Sequence, residues 1–403
     1  MILRHRLFVS DDSMSNYAHV WFIAKTLRHA HHLPWAMPGL GHGRALAYPY
    51  AFVPWTGAAV TWLAVGEWAV TLWLVLGAGL TIVATFLAFP ELRPSRAGAQ
   101  WTAAALVNPA LVTSLWFGQL PFLWAVGFLL LGVAAWRRQR PGWALVMVAL
   151  AQATHPAIVA PMALALVGAW WHWEPRRRDL LKAYVASSVL ALPAAWLVVA
   201  SPVFADSSTP DKLVNFVETF FMRMLVVAVP LAIAVVCSRV ADGPHGRRRW
   251  SWSLALWTGA LVGLGLGQFL RIYHHYPWRA PVRSPDNVVA RFVASAQFEP
   301  GLTYRILRSG DGKVAMYQVL RAGGRLDSEF FPESQGRRRF GDLTEYEAFL
   351  RARKVDRVIA FSNYDRVVRS SNERELVRAC GHRLAGGPFE LYDVTDCVLS
   401  HAT

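Results

Sequence analysis

From about residue 48 to residue 270 the chain is a succession of apolar tracts separated by short polar or basic breaks, and after Arg271 the tracts stop. A helix needs roughly 20 apolar residues to cross about 30 Å of hydrocarbon. Segments 68–89, 100–116, 121–136, 183–200, 213–236 and 250–270 approach or reach that length and are predicted as spans. Two tracts do not fit. The run 143–171 is too long for one ordinary span and is interrupted by His155-Pro156, and the run 48–65 is short and carries Pro49 and Pro54.

The breaks set orientation, because loops rich in Lys and Arg stay on the cytoplasmic side. The arginine runs at 137–140, 176–178 and 247–249 are expected inside. Residues 201–212, with Asp206 and Asp211 among Ser, Thr and Pro, are expected outside. Segment 213–236 then runs inward and 250–270 outward, which leaves the C-terminal part extracytoplasmic. Keeping both 137–140 and 176–178 inside requires 143–171 to enter and return, as a helical hairpin or re-entrant pair broken at Pro156. Arg93 and Arg96 place the break after residue 89 inside by the same rule. If the N-terminal segment is outside, 48–65 then makes no complete crossing.

Past residue 285 the periodicity changes to short alternating elements. Residues 286–296 read as a helix with Asp286 at its N-cap. Residues 303–307, 357–361 and 389–394, rich in β-branched and aromatic side chains, read as strands. Helices are predicted between them at 344–353 and 372–379. This is a small α/β domain with a central sheet; it contains no internal repeat and no nucleotide-binding glycine motif. The fold class is therefore an α-helical polytopic membrane protein with a C-terminal extracytoplasmic α/β domain. Its parts are 1–47 (an acidic loop and interfacial helix), 48–271 (the multi-span domain) and 272–403 (the outer domain).

Composition agrees with that division. Of 403 residues 54% are hydrophobic and 17% charged, against about 25% charged in soluble proteins. The net charge of +15 would suggest nucleic acid in a soluble chain, but much of it lies in the breaks between apolar tracts, so no nucleic-acid partner is expected. Residues 1–10 lack the apolar core of a cleavable signal peptide. Cys237 lies in an apolar tract and reads as a small buried hydrophobe. Cys380 and Cys397 fall in the outer domain, where either a disulfide or two free thiols are open.

The chemistry-bearing residues cluster near the N-terminus. Asp11 and Asp12 precede an amphipathic helix over 13–30, with Tyr17, Val20, Trp21, Ala24 and Leu27 on one apolar face. Asp12, Asn16 and His19 share another face, and Lys25, Arg28 and His29 complete a helix suited to a membrane surface. Asp is a preferred N-cap, so capping alone accounts for one reading of the acidic pair. The other is a general base at the water–membrane boundary, or a pair of oxygen ligands for a divalent cation such as Mg or Mn. His19, His31 and His32 read as solvated interfacial residues, or as phosphate contacts when protonated. Arg223, inside a predicted span, is costly in lipid and is expected to face a cavity.

Taken together, Asp11-Asp12, His19, Leu33-Pro34, the glycine-rich stretch from Gly39 to Gly43 and Tyr48-Pro49-Tyr50 resemble the first extracytoplasmic loop of GT-C superfamily glycosyltransferases. Asn108-Pro109 through Gly118-Gln119, and a span ending in the arginines at 137–140, resemble the Gly-Gln region of polyprenol-dependent members. His155-Pro156 stands where many of those have Lys-Pro, and the tail closing on Leu391-Tyr392-Asp393-Val394 resembles their outer domain. The resemblance implies a polyprenyl-phosphate sugar as donor, an extracytoplasmic glycan or lipid acceptor, and inversion at the sugar. Asp11 or Asp12 would be the base. His19, His31, His32, Arg44, Gln119, His155 and Arg223 would be substrate contacts. Members of the superfamily carry a transmembrane helix before the acidic loop, and none of the ten residues before Asp11 could span. Two expectations follow: a chain lacking its start, or a non-catalytic relative that binds lipid or scaffolds envelope assembly. A coupled transporter, suggested by the break at Pro156 and by Arg223, ranks last because no inverted repeat is evident. Either way the protein is expected in the cell membrane, as a multi-pass chain in contact with the bilayer.

Overall fold

The structure is a computed structural model. It describes residues 13–90 (except 44 and 49), 111, 114–115, 118–171, 174–200, 298–307, 312–327, 339–361, 372–386 and 389–399. The spans predicted at 100–116, 213–236 and 250–270 and the helix predicted at 286–296 lie wholly or mainly outside these residues.

The described helical part comprises α1 (Ser13–Ala30), α2 (Phe52–Val65), α3 (Trp68–Ala88), α4 (Leu120–Arg137), α5 (Pro141–Thr154), α6 (Pro156–Trp170) and α7 (Arg177–Ala200). Three of them, Trp68–Ala88, Leu120–Arg137 and Arg177–Leu197 within α7, are long and apolar enough to cross a membrane. α2, α5 and α6 are apolar but short; 14 or 15 residues reach only about 21–22 Å at 1.5 Å per residue. Helices in lipid gain nothing from hydrophobic contact with each other, so close approach through small residues has to hold them. A Cβ on Gly77 would meet the Trp124 ring at 2.8 Å, and one on Gly127 would meet Leu80 at 2.8 Å, which seats α3 against α4. Thr81 Oγ1 donates to the Leu123 carbonyl across the same pair at 2.8 Å. Between α5 and α7, buried Gln152 donates to Ser187 Oγ at 3.0 Å, so Gln152 joins helices.

The long tract breaks where the sequence indicates. Pro156 lacks an N–H, and the chain turns at His155 between α5 and α6. The Thr154 carbonyl that a continuous helix would have used accepts instead from the Ala51 N–H at 3.0 Å. One crevice is lined both by the beginning of α5 (Ala144, Leu145) and by the end of α6 (Val167, Trp170). The two helices therefore go out and return. At the same end Trp136 Nε1 donates to Glu174 at 3.0 Å and Arg176 stacks over the Trp136 ring at 4.9 Å. Both arginine turns accordingly sit on one side of the bundle.

Among the described residues the sheet domain has five strands, β1 (Thr303–Ile306), β2 (Arg325–Leu326), β3 (Arg357–Phe361), β4 (His382–Ala385) and β5 (Phe389–Asp393), in the order β2-β1-β3-β5-β4. β1 pairs parallel with β2 and β3, and β5 pairs antiparallel with β3 and β4. Its helices are α8 (Gly312–Arg321), α9 (Leu343–Ala352), α10 (Glu373–Cys380) and α11 (Thr395–Leu399). A disulfide joins Cys380 at the end of α10 to Cys397 in α11. Arg305 is buried between Asp327, at 2.7 Å, and Glu373. Burial alone would lower the Arg305 pKa; the Glu373 and Asp327 carboxylates outweigh it and raise it, so the guanidinium stays charged.

α1 does not lie as a surface helix with one face in lipid. Every residue from Ser13 to Val20 is buried, with α2 and α3 around it and α8 of the sheet domain against Tyr17 and Trp21. Asn16 and His19 are hydrogen-bonded inside, and the last turns, with Lys25, Arg28 and His29, are exposed. One hydrophobic cluster runs through Tyr17, Trp55, Leu74, Leu40, Tyr304 and Met316. The glycine-rich loop belongs to this core. Leu326 N–H donates to the Gly39 carbonyl at 2.7 Å, and a Cβ on Gly39 would meet Leu320 at 2.6 Å.

Candidate functional site

α1, α2, α4 and α6 all begin in one place. Asn16, in the first turn of α1, donates through Nδ2 to the Gly118 carbonyl just before α4, at 2.8 Å. Its Oδ1 accepts from Nε1 of Trp55, in the first turn of α2, at 2.8 Å. Trp55 is fully buried, a position that an indole tolerates when its N–H has an acceptor. His19 stacks on Trp55 with ring centroids 4.3 Å apart. Tyr50, just before α2, lies 5.2 Å from Trp55 and 5.4 Å from His155, and Phe122 in α4 meets His155 edge-on at 6.2 Å.

Among the sequence-predicted residues, His19, Gln119 and His155 are therefore brought together although up to 136 positions separate them. Gln119 is the N-cap residue of α4 and His155 that of α6. His19 is fully buried, and its Nδ1 lies 3.0 Å from the Ala47 carbonyl. Burial pushes its pKa down to about 4, with the carbonyl hydrogen bond opposing. His19 is consequently neutral at pH 7 and does not act as the solvated, protonated phosphate ligand that the sequence suggested. His31 and His32 are exposed beyond the far end of α1, about 18 Å along the helix from His19 at 1.5 Å per residue. There Arg28 reaches the Leu63 carbonyl near the end of α2, so the structure does not bring these histidines to the cluster. Asp11, Asp12, Arg44 and Arg223 lie outside the described residues.

The backbone gives the corner its electrostatics. A helix N-terminus carries partial positive charge from N–H groups that have no partner within the helix. α2, α4 and α6 start at Ala51, Gln119 and His155 without a side-chain cap from those residues. Pro121 and Pro156 stand in the first turns of α4 and α6, where a missing N–H costs least. α5 also ends here, and its Thr154 carbonyl is occupied by Ala51 N–H. The balance is a positive corner suited to an anion. Among the described residues no group of three or more His, Cys, Asp or Glu could hold a metal ion.

Trp55, Asn16 and Tyr50 complete the cluster and were not singled out as site residues from the sequence. Asn16 had a signal, its place on one helical face with Asp12 and His19. Trp55 had none, being one of 19 Trp. A second polar contact ties this region to the sheet domain. Glu67, between α2 and α3, accepts from Tyr317 Oη at 3.0 Å and from Arg321. Burial and the Glu67 carboxylate raise the Tyr317 pKa, so its hydroxyl stays the donor.

No family model matches the chain, and no curated protein matches it. Among solved structures it is similar to the oligosaccharyltransferase of Archaeoglobus fulgidus tethered to an acceptor peptide containing the NVT sequon. That match has a TM-score of 0.47 and 11% identity over 88% of this chain, and spans 65% of the archaeal one. The same enzyme in complex with Zn and sulfate matches at TM-score 0.44 and 12% identity, over 94% of this chain and 68% of that one. The archaeal oligosaccharyltransferase AglB with an inhibitory peptide and a dolichol-phosphate matches at TM-score 0.35 and 16% identity, over 70% and 36%.

Proposed function

We propose that the chain is a membrane glycosyltransferase that moves a sugar from a polyprenyl-phosphate donor to an extracytoplasmic glycan or lipid acceptor, with inversion. The observation that carries this reading is the meeting of four helix N-termini around Asn16, Trp55 and His155, with α1 beginning at the residue after Asp11-Asp12. Each N-terminus is worth about 0.3–1 kcal/mol to an anion and the C-terminus of α5 opposes by a similar amount, so the net favours a phosphate by roughly 1–3 kcal/mol. In the reaction an Asp11 or Asp12 carboxylate takes the proton of the acceptor hydroxyl. The acceptor oxygen bonds to the anomeric carbon from the face opposite the phosphate. The bond from that carbon to the phosphate oxygen breaks, and its electron pair leaves with the lipid phosphate. A departing phosphate gains charge, so fixed dipoles aimed at it act in the transition state. Arg44 and Arg223 are assigned to the same phosphate, and a divalent cation, if the reaction uses one, to Asp11 and Asp12.

The test is turnover of lipid-linked sugar in membranes carrying Asp11→Asn or Asp12→Asn. At least one variant should lose 100-fold or more, the scale of a general base, while retaining wild-type thermal stability. Full activity in both variants overturns the mechanism. A wild-type protein that binds polyprenyl phosphate without turning over any donor would instead support the non-catalytic lipid-binding reading.

A further inference from the structure

The opposite end of the bundle holds a second, separate feature. Where α4 ends, α5 begins, α6 ends and α7 begins, a crevice opens between the helices, lined by Gly132, Trp136, Val148, Val167, Trp170 and Tyr184 among other apolar side chains. A Cβ on Gly132 would meet Val148 at 2.6 Å, so α4 and α5 close one wall. The arginine turns flank the mouth. Arg140 stands one helical turn before Ala144, and Arg176 one turn before Leu180, both of which line the crevice. Arg176 is committed to the Trp136 ring and Glu174, and Arg137 donates to the Ala88 carbonyl at 2.6 Å. Arg138, Arg140, Arg177 and Arg178 are exposed. Between residues 137 and 182 the chain has seven Lys or Arg against two acids, Glu174 and Asp179.

We propose that this crevice binds an anionic phospholipid of the leaflet facing the arginine turns, with an acyl chain between α5, α6 and α7 and the phosphate on Arg140 and Arg177, which share helical faces with the lining residues Ala144, Leu180 and Tyr184. An apolar slot alone would take any lipid. The excess of guanidinium groups at its mouth selects a negative headgroup, since basic side chains at a membrane surface attract anionic lipids. Trp136 and Trp170 at the rim occupy the level where aromatic rings favour the interface. Topogenic arginines need only lie on the correct side; the apolar slot between them is the additional feature.

The test uses the full chain in detergent, titrated with phosphatidylglycerol, cardiolipin or phosphatidylcholine, with retained lipid counted by native mass spectrometry. Wild type should retain the anionic lipids at least tenfold more strongly than phosphatidylcholine. The double variant Arg140→Gln, Arg177→Gln should lose that preference, by on the order of thirtyfold at most. Ala183→Trp, which fills the slot from α7, should weaken retention while leaving the arginines in place. Glycerol phosphate should not compete, because it lacks the acyl chain. Equal retention of all three lipids by wild type, an unchanged preference in the double variant, or full competition by glycerol phosphate would overturn the proposal. Because the crevice lies at the end of the bundle remote from Asn16, its occupancy is independent of the glycosyltransferase reading.

Discussion

Protonation of His19 should unlock the corner, and the size of the effect follows from its burial. The imidazole has an ordinary pKa of 6.5, lowered to about 4 in the folded chain. Between those values the unfolded chain binds the proton and the folded chain does not, so stability falls as pH falls. The contribution is present above pH 6.5 and is lost as pH drops through 4. The full loss is about 3 kcal/mol at 1.36 kcal/mol per pH unit, and most of it accrues between pH 7.5 and pH 4.5. The assay is denaturant unfolding in micelles at those two pH values for wild type and His19→Phe. Phenylalanine keeps a ring on Trp55 but cannot titrate. It should cost about 1–3 kcal/mol at pH 7.5, because the buried Ala47 carbonyl loses its donor. Carboxylates common to both proteins cancel in the comparison. Wild type should lose about 2–3 kcal/mol more than the variant on acidification. Equal losses would mean that the ring is not held neutral, and a smaller loss in wild type would reverse the sign of the reasoning.

Asn16→Ala should cost about 1–3 kcal/mol, read as a lower melting temperature, because it strands the buried Trp55 N–H and leaves the Gly118 carbonyl with only the Leu120 N–H as donor. Arg305→Met should cost about 3–5 kcal/mol, leaving Asp327 and Glu373 buried without their cation; the readout is proteolysis within the sheet domain. Reducing the Cys380–Cys397 bond, which closes a sequence separation of 17, should remove about 3 kcal/mol, and an unchanged melting temperature under reductant would contradict it. A double-mutant cycle of Glu67→Gln with Arg321→Gln should show a coupling of about 1 kcal/mol, since both side chains are less than a third exposed.

What could be read from the sequence was whatever depends on local pattern. The apolar run at 68–88, the run at 120–137 and the break at His155-Pro156 were legible because length, hydropathy and a missing N–H settle them without reference to the rest of the chain. Strands β1, β3 and β5 were legible for the same reason, with β-branched and aromatic residues in short runs. β2, with two residues, and exposed β4 carry too little pattern to be seen. α8 was missed because every residue from Ala315 to Leu320 is buried, with contacts to α1 made more than 280 residues away, so no polar face marks it as a helix. The site divides the same way. The face shared by Asp12, Asn16 and His19 was visible as helical spacing. The partners that make Asn16 a crosslink and His19 a neutral ring are Gly118, Trp55 and Ala47. Distances in sequence of 102, 39 and 28 residues hide them from any local pattern.

Those partners also explain why the sheet domain matters to a site built on membrane helices. A catalytic carboxylate is useful only when the element carrying it is held to within a fraction of an ångström. α1 is too polar to be fixed by lipid, and one side of it rests on α2 and α3 through Asn16 and Tyr17. The other side rests on α8, where Tyr317 lies 5.8 Å from Tyr17 and meets Trp21 edge-on at 6.5 Å. α8 is in turn fixed to the membrane part by Tyr317 and Arg321 on Glu67, and the strand it leads into is fixed by the Gly39 carbonyl on Leu326. The sheet domain thus acts as a clamp on the middle of α1. Removing it would uncover Tyr17 and Trp21, while Asn16 would still tie the first turn of α1 to α2 and to the residue before α4.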